Sequence, residues 1–348
     1  MRREKTLKKL FCGLMLLSLV LTGCVAVVDN TMPKVISVIA KGDSGSFWNA
    51  VLVGAEDAAL ENGYGITFRG PETDGMDGVD FQRGQLELAM ENEASAILVA
   101  AIGPGLEDLL SQAKEKKIPV VQFDSGIFRQ DLSLLKAKKT NPVIASVYTD
   151  NRKAAALNAG HLFFEIREEI AHSLTPYGIG IIQHDLSPSG EERAQGFLEA
   201  FQALADEDPA TRGKYIIRME VCRTEKDNAY GKALLRLAHQ GVRAMFLTNQ
   251  EVVNQVYDAV VAHPDQYDYL VFTGFDSGKK QVTWMRDLER PRLIGSVTQD
   301  AYALGYNGIM QCINGLEARG VTAFVEIPAT WYDKDNLEEM LLKNLVFD

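Results

Sequence analysis

Histidine and cysteine are scarce in this chain, with five and four among 348 residues. His161, His172, His184, His239 and His263 are scattered. They form no H-E-x-x-H pair and read as ordinary surface or helix histidines. Cys12, Cys24, Cys222 and Cys312 lack metal-ligand spacing. Only the last two fall within a folded body, in different halves, so buried free thiols are expected rather than a disulfide. Asp74, Asp77 and Asp80 do not match the spacing of a calcium loop and read as a solvated loop. No G-x-G-x-x-G follows the first apolar run, and no nucleophile elbow is present. These absences argue against an enzyme, and neither a metal nor a cofactor is expected. An excess of basic charge is also missing. The formal net charge is −11. An acidic chain without a basic stripe argues against nucleic acid as a partner.

The N-terminus has a composition of its own. The first 23 residues hold five basic residues and one acid, Glu4. The remainder carries 31 basic and 46 acidic residues. A basic head, the apolar run 10–21 and small residues before Cys24 form a secretory signal. Leu21-Thr-Gly-Cys24 resembles the bacterial lipobox. That resemblance implies cleavage after residue 23 and diacylglyceryl modification of Cys24, giving contact with a membrane through a lipid anchor only. The alternative is an uncleaved anchor, since 10–28 is nearly apolar throughout. Residues 24–33 have neither helical nor strand period and read as a tether.

Two later runs end alike. Pro119-Val-Val-Gln-Phe-Asp124-Ser-Gly and Leu270-Val-Phe-Thr-Gly-Phe-Asp276-Ser-Gly each carry an apolar run into Phe-Asp-Ser-Gly. Such runs suit strands buried on both faces of a parallel sheet. Each aspartate then stands at a strand's carboxyl end, where open α/β sheets bind ligands. The two runs are about one domain length apart. They read as matching positions in two similar lobes facing across a cleft.

The chain in order supports that division. Strands are expected at 34–40, 66–68, 96–100 and 119–123, with helices at about 49–62, 80–92 and 105–117. Stretch 128–141 reads as an irregular, charged connection, and Lys114-Glu-Lys-Lys117 as a solvated helix end. A second alternating series begins at 143–148. Its last members are a helix at 301–314, a short strand at 326–328 and a helix at 336–342. This alternation is that of doubly wound parallel sheets. The expected division is a lobe of 34–149 plus 300–328 and a lobe of 150–299 plus 329–348. Hinges fall near 141–150, Gln299 and 328–330.

The polar residues that follow the strands are of one kind. Asp124, Asp150 with Asn151, Arg193, Asn249, Asp276 and Gln299 offer planar, forked groups. Such groups can engage two adjacent hydroxyls at once. Phe47 and Trp48 sit in the first strand-to-helix loop and could pack on the C–H face of a sugar ring. Each residue also has a plain reading. Asp124 and Asp276 could close turns, Phe47 and Trp48 could staple a helix, and Arg193 could pair at the surface. Asn151 and Asn249 could cap helices.

Taken in order, these motifs resemble the type I periplasmic sugar-binding proteins, the ribose/galactose-binding family of ABC importers. The resemblance covers about residue 33 to the end. It assigns ligand-binding roles to Phe47, Trp48, Asp124, Asn151, Arg193 (before Gly196-Phe197), Asn249, Asp276 and Gln299. More loosely, it assigns one to Tyr230. Ribose-type members carry arginine where this chain has Ser125, and asparagine near Gly45 and Ser46. The departures leave room for a larger ring, a hexose or a cyclitol. The implied partners are a neutral sugar and an ABC permease, with the protein a monomer. The same pocket would suit a sensor serving a chemoreceptor or histidine kinase. A repressor of this fold would need an N-terminal helix-turn-helix, where this chain has its leader.

Overall fold

Residues 34–72, 78–224, 226–287 and 291–346 are described by the structure, a computed structural model. Cys24, Asp74 and Asp77 lie outside the described residues.

The short β-branched runs assemble into two six-stranded sheets. Val35–Ile39 (β1), Gly65–Arg69 (β2), Ala96–Val99 (β3), Val120–Phe123 (β4) and Val143–Tyr148 (β5) form the first with Phe324–Glu326 (β11). Its order is β11-β5-β4-β3-β1-β2, and every pairing is parallel. Tyr177–Gln183 (β6), Tyr215–Val221 (β7), Val242–Leu247 (β8), Val271–Phe275 (β9) and Arg292–Gln299 (β10) form the second with Ala329–Tyr332 (β12). Its order is β12-β10-β9-β8-β6-β7, and only β12 runs antiparallel to its neighbour.

Helices cover both faces of each sheet, which is why the strands read as unbroken apolar runs. On the first sheet, Ser46–Glu61 (α1) and Ala301–Leu316 (α11) pack with Val38, Leu98 and Phe123. Val79–Glu91 (α2), Glu107–Glu115 (α3) and Arg129–Lys138 (α4) pack on the other face with Ile97, Val99 and Val120. On the second sheet, Asn151–His172 (α5) and Pro188–Glu207 (α6) bury Ile179, Phe246 and Phe275. Ala229–His239 (α7), Gln250–Ala262 (α8), Lys279–Asp287 (α10) and Leu337–Leu342 (α12) bury Met245, Phe272 and Trp284. A short helix, Pro264–Tyr267 (α9), follows α8. Complete burial of a phenylalanine such as Phe123 or Phe275 contributes about 1.5–3 kcal/mol. Cys222 and Cys312 are buried free thiols in different cores, as expected. No helix among the described residues is long and apolar enough to cross a membrane.

Helix α1 meets α11 through glycine. A Cβ on Gly54 would stand 2.1 Å from the Tyr302 carbonyl oxygen, and one on Gly305 would stand 2.0 Å from that of Val51. Neither helix could approach so closely with any larger residue there.

Two expectations need correction. Residues 128–141 are not irregular, because 129–138 form α4. Leu135 is fully buried, and Asp131 accepts the backbone N–H groups of Gly105 and Leu106 at 3.0 and 3.2 Å. Lysines in the last turn suit the helix dipole. The final strand is two strands: β11 ends at Glu326 in the first sheet, and β12 begins at Ala329 in the second. The chain therefore passes between sheets at 148–151, 299–301 and 326–329. Asp150 and Asp300 stiffen two of these passages by accepting the backbone N–H groups of Lys153 and Ala303 at 3.0 and 2.8 Å.

Candidate ligand-binding cleft

Both Phe-Asp-Ser-Gly motifs fold alike. The phenylalanine completes a buried strand, and the aspartate turns left-handed, with φ of 52° at Asp124 and 62° at Asp276. Aspartate tolerates that region better than most residues. The Asp124 N–H donates to the Val147 carbonyl at 3.1 Å, and the Asp276 N–H donates to that of Val297 at 2.8 Å. Each motif is thus anchored to the neighbouring crossover strand. The two carboxylates line one cavity of about 240 Å³ between the sheets. That volume is just under the usual range for drug-sized ligands and suits a small one.

The two aspartates are held differently. Asp276 is nearly buried and engaged by the scaffold. Gln299 Nε2 donates to its Oδ1 at 2.9 Å, and Arg193 Nη1 and the Gln250 N–H reach its Oδ2 at 3.4 and 3.3 Å. Asp124 is half-buried, and among the described residues no side chain hydrogen-bonds to it. Burial pushes its carboxyl above the ordinary value, and the Asp276 charge adds to that. Lys41 and Arg193 pull in the opposite direction.

Arg193 is fixed from three sides. Its Nε donates to Asn151 Oδ1 at 2.7 Å and its Nη1 to the Thr248 carbonyl at 3.0 Å, while its guanidinium lies 3.7 Å from the centre of the Phe275 ring. Trp48 is 7% exposed and stands edge-on to both Phe47 and Phe123. It thus packs in the core and also borders the cavity. Asn249 likewise does two things: it lines the cavity, and its Oδ1 caps α8 by accepting the Val252 N–H at 2.9 Å.

Of the nine ligand-binding positions read from the sequence, Phe47, Trp48, Asp124, Arg193, Asn249, Asp276 and Gln299 line this cavity. Asn151 and Tyr230 stand one layer back. Asn151 orients Arg193, and the Tyr230 hydroxyl donates to the His184 carbonyl at 3.1 Å. Ser125 turns away, donating to the Ala101 carbonyl at 3.0 Å.

Sequence reasoning missed part of the lining, notably Lys41, His184 and Gln250. His184 is not an ordinary surface histidine. It is 3% exposed, and burial pushes its imidazole down to about 3. Thr248 Oγ1 lies 2.8 Å from its Nδ1, and Asp185 Oδ1 lies 3.3 Å from its Nε2. Burial opposes charge on Asp185, but Lys41 and the Ser187 O–H and N–H outweigh it and hold the carboxyl well below its usual range. The signal for these residues was their place after strands: Lys41 after β1, His184 after β6, and Gln250 after β8 at the start of α8.

Contacts across the cleft join the sheets directly. Lys41 Nζ and Asp185 Oδ2 are 3.4 Å apart. Ser46 Oγ accepts from Gln250 Nε2 at 2.9 Å, and Arg129 approaches Glu192 at 3.7 Å. Two cations, Lys41 and Arg193, face four carboxylates, those of Glu72, Asp124, Glu251 and Asp276, around the cavity. That balance disfavours an acidic ligand.

Comparison with known proteins agrees with this architecture. A family model for the periplasmic binding protein domain matches residues 36–319. A solved chain from Brachyspira murdochii, described as an ABC transporter, LacI family transcriptional regulator, is 31% identical. It superposes with a TM-score of 0.79, covering 91% of this chain and 99% of that one. An ABC transporter solute-binding protein from Agrobacterium vitis with bound D-fucose is 22% identical, with a TM-score of 0.73 over 90% of this chain and 99% of its own. A carbohydrate transporter solute-binding protein from Agrobacterium radiobacter in complex with D-arabinose is 21% identical, with a TM-score of 0.73 over 91% and 99%. No curated protein matches. The family match across both sheets and the 31% identical relative show that this chain belongs to the periplasmic binding proteins, with their two-lobed type I fold.

Proposed function

We propose that this protein captures a neutral monosaccharide or cyclitol between its lobes and delivers it to an ABC importer. The observation that carries the reading is the convergence of Asp124 and Asp276, from matching motifs in the two sheets, on one small cavity. Arg193, Asn249 and Gln299 add forked donors and acceptors, and Trp48 adds an aromatic border. The solved relatives hold D-fucose, D-arabinose and, in another Agrobacterium vitis protein, α-D-tagatopyranose. With Ser125 turned away and Ser46 engaged with Gln250, neither position supplies the reach of a ribose-type site. That leaves room for a ligand larger than ribose, a hexose or a cyclitol.

In this reading the lobes are 34–149 with 300–328 and 150–299 with 329–348. They close about the three passages, because a ligand touching both favours the closed form. The protein acts as a monomer, held outside the cytoplasm by diacylglyceryl on Cys24 and docking on a permease when closed. It binds rather than transforms its ligand.

The test is a thermal-shift screen of aldoses, ketoses and cyclitols on the chain from residue 24 carrying Cys24→Ser. A ligand at 100 times its Kd adds about 2.7 kcal/mol of stability. Failure of the whole panel, with an acidic or basic solute binding instead, overturns the reading. The mass of the N-terminal peptide from membranes tests the anchor separately.

A further inference from the structure

The first lobe carries a second cavity, far from the cleft in character. It holds about 600 Å³ and lies under α4, beside the edge strand β11. Its floor is apolar, with Leu135 and Ile144, and Phe324 stands at its edge 73% exposed. Lys114, Lys136 and Lys139 line its rim, and the lining includes no acid. None of these three lysines is ion-paired with a described residue. They belong to two runs, 114–117 and 136–139, that expose six lysines and only one acid, Glu115. On a chain of net charge −11 this is a local reversal of sign.

The reversal occupies a particular end of the lobe. Both runs are helix C-termini, so they sit at the strands' amino ends. Hydrogen bonds join those ends in sequence: Ser95 N–H to Val35 O, Ile97 N–H to Pro119 O, Val120 N–H to Pro142 O, and Ser146 N–H to Ala323 O. The start of β1, where the chain enters the lobe, is therefore on this edge. Four strand spacings of about 4.8 Å place it roughly 19 Å from β11. The ten residue steps from Cys24 to Lys34 reach at most about 36 Å when extended. An anchor at Cys24 therefore lets this end of the lobe reach the bilayer surface.

We propose that this groove docks on the surface of an anionic membrane, with the lysines on lipid phosphates and Phe324 in the interfacial layer. The proposal rests on the anchored-receptor reading and adds a second, protein-made contact to it. The acidic remainder does not prevent docking, because the Debye length is about 8 Å at physiological salt. Charges beyond that distance are screened, and the rim lysines are the groups that approach the surface. An acyl anchor gains a fixed orientation from such a contact.

The experiment uses the chain from residue 24 with Cys24→Ser, so that no acyl chain contributes. Residues Lys34–Asp348 form one compact unit, which supports using this form. Partitioning is measured by sedimentation with vesicles of mixed phosphatidylglycerol and phosphatidylcholine and with phosphatidylcholine alone. Binding is expected to the anionic vesicles only, and to be lost on raising salt from about 0.05 to about 0.5 M. Each surface lysine is expected to contribute about fivefold, so Lys114→Ala/Lys136→Ala/Lys139→Ala loses roughly 100-fold. Phe324→Ala loses about tenfold. All four side chains are exposed and outside the cleft, so sugar binding and the unfolding midpoint report that the variants fold. Equal partitioning into both kinds of vesicle, or an unchanged triple variant, overturns the proposal. So does loss of permease capture by the triple variant without vesicle binding, which assigns the groove to an acidic protein surface. A missing acyl group on Cys24 counts against the anchor and leaves the vesicle result to stand alone.

Discussion

Lys41, at the end of β1, and Asp185, at the end of β6, meet across the cleft with Nζ and Oδ2 3.4 Å apart and both side chains 3% exposed. Each comes from a different sheet, so the pair exists only while the lobes are together. Losing one partner of a buried pair strands the other charge, at about 3–5 kcal/mol. At 3.4 Å the lower end applies. Parted lobes would return both groups to water, so the cost falls on closure rather than on folding. Lys41→Met or Asp185→Asn is expected to weaken ligand binding by about 3 kcal/mol, roughly 150-fold in Kd. Lys41→Met/Asp185→Asn, which keeps an acceptor for the Ser187 O–H and N–H, should recover part of that loss. Calorimetry on the four proteins decides, and unchanged affinity in both single variants excludes the pair as a closing contact.

Asp124 and Asp276 share a motif but should not share a phenotype. Asp276 neutralises Arg193 and accepts from Gln299 and the Gln250 N–H. Asp276→Ala leaves a buried guanidinium with only neutral partners, at about 2–3 kcal/mol. For a lobe of this size that lowers the unfolding midpoint by about 5–10 °C, in addition to abolishing binding. Asp124 has no side-chain hydrogen-bond partner among the described residues to abandon. Asp124→Ala is expected to abolish binding with the midpoint within about 2 °C of wild type. Scanning calorimetry without ligand separates the two, and equal midpoints refute the distinction.

The repeat of Phe-Asp-Ser-Gly made this site legible, because an apolar run ending in aspartate has one natural place in a parallel sheet. Arg193, Asn249 and Gln299 were legible for the same reason: each follows a strand. Lys41 and His184 follow strands too, but a lysine before glycine looks like a solvated chain end. Only the meeting of β1 and β6 across 144 residues makes it a buried partner. Helix α4 was hidden because the exposed Leu134 and the run Lys136-Ala-Lys-Lys139 blur its apolar period. Its buried Asp131 finds partners in a loop that sequence does not place nearby. Strand β12 was hidden because its register is set by β10, with Ala329 paired to Gln299, thirty residues away along the chain.

Gly42 sets where Trp48 stands. A Cβ there would fall 2.6 Å from Trp48 Cδ1 and 2.7 Å from Nε1. The indole is wedged against Phe47 and Phe123 and has little room to yield. Gly42→Ala is expected to tilt the ring out of the cavity wall and weaken binding about tenfold, with a shifted tryptophan emission. Trp48→Phe is expected to weaken binding and to remove the Trp48 contribution to the emission altogether. Unaltered emission and affinity in Gly42→Ala would show that the wall has slack.

Acid should act on this protein through groups of opposite sign, of which His184 and Asp124 titrate above the window of Asp185. His184 is held neutral, its imidazole pushed down to about 3 by burial, with Lys41 and Arg193 adding to the effect. An unfolded histidine takes a proton near 6.5. Between those values the unfolded chain binds a proton that the folded one refuses. Stability therefore falls as pH drops through that window, by up to about 1.4 kcal/mol per pH unit. Asp124 runs the other way: its raised carboxyl holds a proton in the folded protein that the unfolded chain has released, so its contribution favours the folded state at low pH and is lost as pH rises through the folded value. For binding the sign differs again, because a protonated Asp124 can accept fewer ligand hydroxyls. His184→Gln, which can still bond Thr248, is expected to flatten the stability profile between about pH 6.5 and 4.5. Asp124→Asn should leave that profile sloping but remove the acid limb of ligand affinity, a limb placed above the ordinary aspartate value of about 3.9. Urea unfolding and calorimetry across pH read the two effects separately. A slope in His184→Gln equal to that of wild type would mean that another buried group carries the acid sensitivity.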